Sequence, residues 1–248
     1  MIAVLRSSLF LLLATLVTAP FGFLVSLAVV LPMRWRFALI AIWRKLFMAI
    51  CTYVLGIRYR VIGREHIPEK ASIILSRHES AWETVALQEI FPDQVFVLKR
   101  SLLLIPFLGW AFAAVRMISI DRGAGRDALK QVVKQGCERI AAGYWVTIFP
   151  EGTRIAPGET RRFKSGGGNL ATESGALVVP VAHNAGDVWA RNAFVKRPRL
   201  VTVSIGPAID PTGKTADEVT ALAEQWINAE MQRLRPQAML DGAQAQRA

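Results

Sequence analysis

Ala71–Phe91 reads ASIILSRHESAWETVALQEIF. The first six residues centre on the apolar run Ile73, Ile74 and Leu75, as in a strand buried on both faces,. From Ser80 the apolar residues Ala81, Val85, Ala86 and Ile90 recur near helical spacing,. A buried strand followed at once by a helix is the repeating unit of an α/β layer. Outward from this unit the same alternation recurs. Further strands are expected at RYRVIG (58–63), QVFVLK (94–99), RMISI (116–120), YWVTIFP (144–150), ALVVPVA (176–182) and RLVTVSIG (199–206). Between them, Asp127–Ala142 places Leu129, Val132, Val133, Cys137 and Ile140 on one helical face and Lys130, Lys134 and Arg139 on the other,. The expected fold is α/β, with a mixed, largely parallel sheet flanked by helices.

The N-terminus differs in kind. Ser7–Leu31 carries no charged side chain, which suits a bilayer-embedded segment,. Pro20 and Gly22 sit near its middle and are expected to split it into two helical pieces of about 20 Å each. Neither piece crosses a hydrocarbon layer of about 30 Å, so a re-entrant or monotopic anchor is favoured over one span. Cleavage as a signal peptide is disfavoured, because Pro20 follows Ala19 and the apolar run continues. A second stretch, Arg34–Gly56, mixes Arg34, Arg36, Arg44 and Lys45 with Trp35, Phe37, Trp43 and Phe47 in the manner of interfacial helices,. The basic cluster places the rest of the chain on the cytoplasmic side of the inner membrane. The chain is thus expected to comprise anchor helices over 1–57, a catalytic α/β domain over 58–236 and a flexible tail over 237–248.

Of 248 residues, 52% are hydrophobic, and the formal net charge is +11. That combination suits an anionic membrane or anionic small partners. It does not suit nucleic acid, since the sequence has no zinc spacing and no glycine-aromatic RNA signature. Two distant cysteines, Cys51 and Cys137, argue against a disulfide framework or a metal cage and for a reducing compartment,.

The chemistry concentrates in two places. His78 falls at the strand-to-helix junction, and Glu83, five residues on, can hold one ring nitrogen while the other accepts a proton. In FPEGTR, Glu151, Gly152, Thr153 and Arg154 follow a strand end. There Arg154 offers a bidentate phosphate donor, Glu151 could orient that arginine or a substrate hydroxyl, and Gly152 permits close backbone approach. The glycines of RRFKSGGGNLA (161–171) lack the spacing of a nucleotide loop.

In these residues the chain resembles the 1-acylglycerol-3-phosphate acyltransferase family. HESAWE matches that family's H-x-x-x-x-D block, with Glu83 in place of aspartate. KRSLLLIPFLGWAF with IDR resembles a second block, giving Lys99, Pro106, Gly109, Asp121 and Arg122. FPEGTR with FKSG resembles a third, and VVPVAHNAG around Pro180 a fourth. Asp121 and Arg122 are expected to pair structurally at a strand end. The resemblance implies direct transfer of an acyl group from a thioester, on coenzyme A or acyl carrier protein, to the sn-2 hydroxyl of a 1-acyl-glycerol-3-phosphate. His78 and Glu83 would be catalytic. Arg154, helped by Lys99, Glu151, Gly152 and Thr153, would hold the acceptor phosphate. No cofactor or metal is called for, and Ser80 need not be a nucleophile. The alternatives are another lysolipid acceptor such as a lyso-aminolipid, a lipid transacylase or hydrolase, or a non-enzymatic lipid or acyl-carrier binder.

Overall fold

The computed structural model describes residues 1–121 and 123–235. The expected tail and Arg122, half of the anticipated Asp121–Arg122 pair, lie outside the described residues.

All seven expected strands form, as β1 (Arg58–Ile62), β2 (Ile73–Ser76), β3 (Gln94–Lys99), β4 (Ile118–Ile120), β5 (Trp145–Ile148), β6 (Val178–His183) and β7 (Leu200–Ile205). They build one sheet in the order β1-β7-β6-β2-β5-β3-β4. Every pairing is parallel except β6 with β7. Five strands therefore run one way, and β1 and β7 run the other way at one edge. The central strands β2, β5 and β6 are buried throughout, whereas edge strand β1 alternates with solvent. This is why the central runs read as continuous apolar stretches.

Helices α3 (Trp82–Ile90), α4 (Leu108–Ala114), α5 (Arg126–Ala141), α6 (Gly166–Ser174) and α7 (Ala216–Leu234) flank the sheet. The glycine-rich stretch turns out to be a packing device. A Cβ on Gly167 would lie 2.4 Å from Leu75 Cδ2, and one on Gly168 would lie 2.0 Å from the Ala216 carbonyl oxygen. Glycine lets α6 press its backbone against β2 and α7.

At the N-terminus the structure corrects the expected break. Helix α1 (Ile2–Leu27) runs unbroken through Pro20, and the chain turns only at a 3-10 turn over Ala28–Val30 before α2 (Met33–Tyr53). The lost proline hydrogen bond is tolerated in a long apolar helix whose other carbonyls stay bonded. Gly22 serves close approach, since a Cβ there would lie 3.0 Å from the Phe107 carbonyl. The turn is fastened by Arg36, which is buried and donates to the carbonyls of Val29, Leu31 and Ala114. Arg44 pairs with Glu89 at 3.0 Å. Of the four basic residues expected at an interface, Arg34 and Lys45 are the exposed ones.

One face of α1, through Ser7, Phe10, Ala14, Gly22 and Val25, is buried. Ser7 Oγ accepts the Lys196 N–H at 2.9 Å, and the Phe10 ring meets Trp189 and Phe47 edge-on. The other face leaves Leu5, Leu12, Leu16 and Leu27 exposed. The residues Ile2–Val30 are long and apolar enough to cross a membrane.

Candidate active site

Because β2, β5, β6 and β3 are parallel, their carboxyl ends share one sheet edge, where open α/β sheets place ligand sites,. His78 lies just beyond β2 and the Phe149–Arg154 turn just beyond β5. Phe149 stacks on the His78 ring with centroids 3.9 Å apart and planes 17° apart. The Ile155 N–H donates to the His78 carbonyl at 2.9 Å, joining the two turns.

His78 Nδ1 stands 2.8 Å from Glu83 Oε1. A carboxylate only accepts, so Nδ1 carries the proton and Nε2 keeps its lone pair. The same Glu83 oxygen accepts from the Ser80 N–H at 2.9 Å and the Glu79 N–H at 3.1 Å. Glu83 sits in the first turn of α3, where the helix dipole favours negative charge, and reaches back over the turn that carries His78,. The longer side chain, glutamate where the resembled block has aspartate, spans to all three donors. Ser80 is buried and its hydroxyl accepts the Trp82 N–H, the first amide of α3, at 3.1 Å. Burial lowers the His78 pKa below its ordinary value, Glu83 opposes this through its hydrogen bond and charge, and Arg154 lowers it further.

Glu151 does not face Arg154. It is buried, and its Oε1 accepts the His78 backbone N–H at 3.3 Å, with Arg77 Nε at 3.8 Å. Burial pushes its carboxyl up to about 7, against the Arg77 guanidinium and the His78 N–H. It is not among the residues that line the cavity with His78. Gly152 adopts φ +73°, and the Lys164 Nζ lies over it, 3.1 Å from where a Cβ would be. Thr153 is half-buried in the same turn. Arg154 lines the cavity with His78 and has no acidic partner within 4.0 Å among the described residues. Lys99 ends β3 as an exposed residue and does not line that cavity. Asp121 accepts the Gly123 N–H at 2.9 Å.

The cavity measures about 390 Å³ and runs from His78 and Arg154 into a wall of Val25, Trp43, Phe47 and Phe112. Its lining is largely apolar, with Thr18, Thr84 and Gln88 the polar residues besides His78 and Arg154. Sequence reasoning did not foresee that α1, α2 and α4 would form this wall, or that His183 supports the site. His183 Nε2 donates to the Arg77 carbonyl at 2.8 Å, while its Nδ1 accepts the Ala185 N–H at 3.3 Å. These two bonds brace the residue before His78.

A histidine oriented by a carboxylate and an arginine without an acidic partner among the described residues line one largely apolar cavity, an arrangement that suits base-assisted transfer involving an amphiphile with an anionic head,. Known proteins of this class are similar to the chain. Residues 58–184 match the acyltransferase family profile. The chain is 43% identical to the 1-acyl-sn-glycerol-3-phosphate acyltransferase of Pseudomonas aeruginosa over 85% of this chain and 83% of that protein. It is 32% identical to the enzyme of that name from Borreliella burgdorferi, over 65% of each chain. The crystal structure of the 1-acyl-sn-glycerophosphate (LPA) acyltransferase PlsC from Thermotoga maritima superposes with a TM-score of 0.75 over 93% of this chain and 95% of that one, at 22% identity, and so shares the fold. The chain belongs to the acyltransferase family, the one that holds the 1-acyl-sn-glycerol-3-phosphate acyltransferases.

Proposed function

We propose that the protein transfers a fatty acyl group from an acyl thioester to the sn-2 hydroxyl of 1-acyl-glycerol-3-phosphate, giving phosphatidic acid for phospholipid synthesis. The observation that carries this reading is the apolar cavity ending at His78 with Arg154 at its mouth. His78 Nε2 takes the proton of the acceptor hydroxyl as the oxygen attacks the thioester carbonyl. The carbon–sulfur bond then breaks, and the imidazolium returns its proton to the departing thiolate. Glu83 steadies the imidazolium between these steps. No acyl-enzyme forms, because the nucleophile belongs to the acceptor. Arg154 holds the acceptor phosphate, Gly152 and Thr153 belong to the same turn, Lys99 helps from the end of β3 outside the cavity lining, and Glu151 keeps the His78 backbone in place.

The donor is an anionic thioester, acyl-CoA or acyl carrier protein, drawn by a chain of net charge +11,. The enzyme rests on the cytoplasmic face of the inner membrane. Supporting a monotopic seat, α1 touches the rest of the protein at both Ser7 and Gly22, about 22 Å apart by helical rise,. A helix so seated presents its outer leucines to lipid along its length instead of projecting across the bilayer. The deciding experiment incubates purified protein with labelled lysophosphatidic acid and each donor in turn. Phosphatidic acid is expected from the wild type and none from His78→Ala, whose membrane association stays intact. Equal product from His78→Ala would overturn the assignment.

A further inference from the structure

Behind the His78 turn, on the side away from the cavity, lies a buried ionic cluster that the chemistry above does not use. Glu79 is 0% exposed. Arg235, at the end of α7, grips it with both fork nitrogens, Nη1 to Oε1 at 2.8 Å and Nη2 to Oε2 at 2.6 Å. The Arg235 Nε is itself 2.8 Å from Asp187 Oδ1. Arg77 Nε donates to Glu79 Oε1 at 3.2 Å, and its Nη2 to the Glu159 carbonyl. The backbone of Gly186 closes the remaining side, since a Cβ there would lie 2.8 Å from Glu79 Oε2.

Glu79 faces both ways. Its side chain belongs to this cluster, while its backbone N–H is one of the three donors on Glu83 Oε1. We propose that Arg235 is a positioning residue for the catalytic pair, holding Glu79 so that the turn keeps Glu83, and through it His78, aligned. The proposal rests on the reading of His78 as the base. Two arguments favour Arg235 over Arg77 for this part. Arg77 stands two residues from Glu79 and offers it only one nitrogen, Nε at 3.2 Å, so its grip is local and sets no direction,. Arg235 comes from a separate element packed on α6 and β6, and its two parallel bonds set direction as well as distance,. A carboxylate buried this deeply takes the place its partner dictates. Arg235 also lies 51 residues beyond the end of the family match at residue 184, so nothing in the shared blocks announces it.

The test compares Arg235→Ala and Arg235→Lys with Ile227→Ala. Ile227 is buried in the same helix against Phe163, Ala182 and Met231, and so reports what loosening α7 does by itself. Three quantities are read: turnover with both substrates saturating, each KM, and the titration of the His78 ring by NMR in a chain with three histidines, assigned with His78→Gln. Arg235→Ala is expected to lower turnover by about tenfold or more, the scale of a small misplacement of catalytic groups, with each KM within about threefold. Its His78 pKa should fall, because a displaced Glu83 supports the imidazolium less. Arg235→Lys, which keeps charge without the fork, should fall between it and wild type. Ile227→Ala, at an equal or larger loss of Tm, should leave turnover within about threefold and the His78 titration unmoved. The proposal is overturned if Arg235→Ala and Ile227→Ala match in turnover and His78 titration at equal Tm. Should Arg235→Ala not fold, Arg235→Lys decides: unchanged turnover together with an unmoved His78 titration overturns the proposal. A wild type inactive with every donor would sink the proposed function, yet the His78 titration would still judge Arg235.

Discussion

Replacing Glu83 with glutamine removes a charge and nearly nothing else. One Glu83 oxygen takes all three donors, at 2.8, 2.9 and 3.1 Å, and a glutamine carbonyl can take the same three. The amide NH2 then falls on the site of Oε2, which is buried without a partner among the described residues. That unmet donor costs about 1–3 kcal/mol of stability, and the reverse flip, which points NH2 at three donors, is worse. The catalytic loss comes from the missing charge. When His78 is protonated, opposite unit charges about 4 Å apart attract by about 4 kcal/mol at an effective dielectric constant near 20. Each 1.4 kcal/mol, approximately, is tenfold in rate. Allowing for the neutral hydrogen bond that remains, turnover should fall by about 10²–10³-fold. Glu83→Asp keeps the charge but withdraws the carboxylate by about one bond, 1.5 Å. The three contacts stretch unless the start of α3 moves with it, so a loss of about tenfold is expected. The assay is turnover of both variants with donor and acceptor saturating, beside thermal melts that exclude unfolding. A glutamine variant as active as the aspartate variant, or more so, would refute the reasoning and leave Glu83 a structural residue of the turn.

Arg154→Lys keeps the charge but loses the fork, so it should raise the KM for lysophosphatidic acid about tenfold while changing donor KM little, by steady-state kinetics varying each substrate. An effect confined to the donor would reassign Arg154 to donor phosphate. Glu151 holds its proton up to about 7 when folded and releases it near 4.5 when unfolded, so the stability it contributes is full below 4.5 and is lost as pH rises through about 7,. Melts of Glu151→Gln against wild type should therefore favour the variant more at pH 8 than at pH 5, by roughly 2–3 kcal/mol. Gly168→Ala would put a Cβ 2.0 Å from the Ala216 carbonyl oxygen, forcing α6 from α7. Overpacking of this kind costs about 1–3 kcal/mol, a drop in Tm of roughly 2–12 °C by thermal melt.

Much of this architecture is local, and local patterns are what a sequence displays. Ile73–Leu75 and Val178–Val181 read as strands because both their faces are buried, and α5 reads as a helix because one face is not. His78 and Glu83 are five residues apart, so their meeting across a strand-to-helix turn was visible too. Pro20 misled because a proline removes one hydrogen bond, and α1, held by its packing against α2 and α4, keeps its course through that loss,. The packing role of the glycines of 166–168 is not legible in the sequence, because what they accommodate, the Leu75 side chain and the Ala216 carbonyl, is remote in the chain. From the sequence, Glu151 can serve either Arg154, its near neighbour in the same turn, or a substrate hydroxyl. Its actual partner is the His78 amide, 73 residues earlier, and the choice is made by β2 lying beside β5. Glu79 and Arg235 stand 156 residues apart, and no spacing relates them.

The seating of α1 and α2 bears on how a soluble form of this enzyme could be made. Trimming an N-terminal hydrophobic leader is a common route to crystals and to detergent-free assays. Here a cut at residue 57 would remove Val25, Ile40, Trp43 and Phe47 from the cavity wall and uncover the rings of Trp189 and Tyr144, which Phe10 and Phe37 now cover. The exposed apolar surface and the cavity wall are two sides of the same pair of helices. Solubility has to be engineered by exchanging outward leucines such as Leu5, Leu12 and Leu16 for polar residues, with the helices themselves retained.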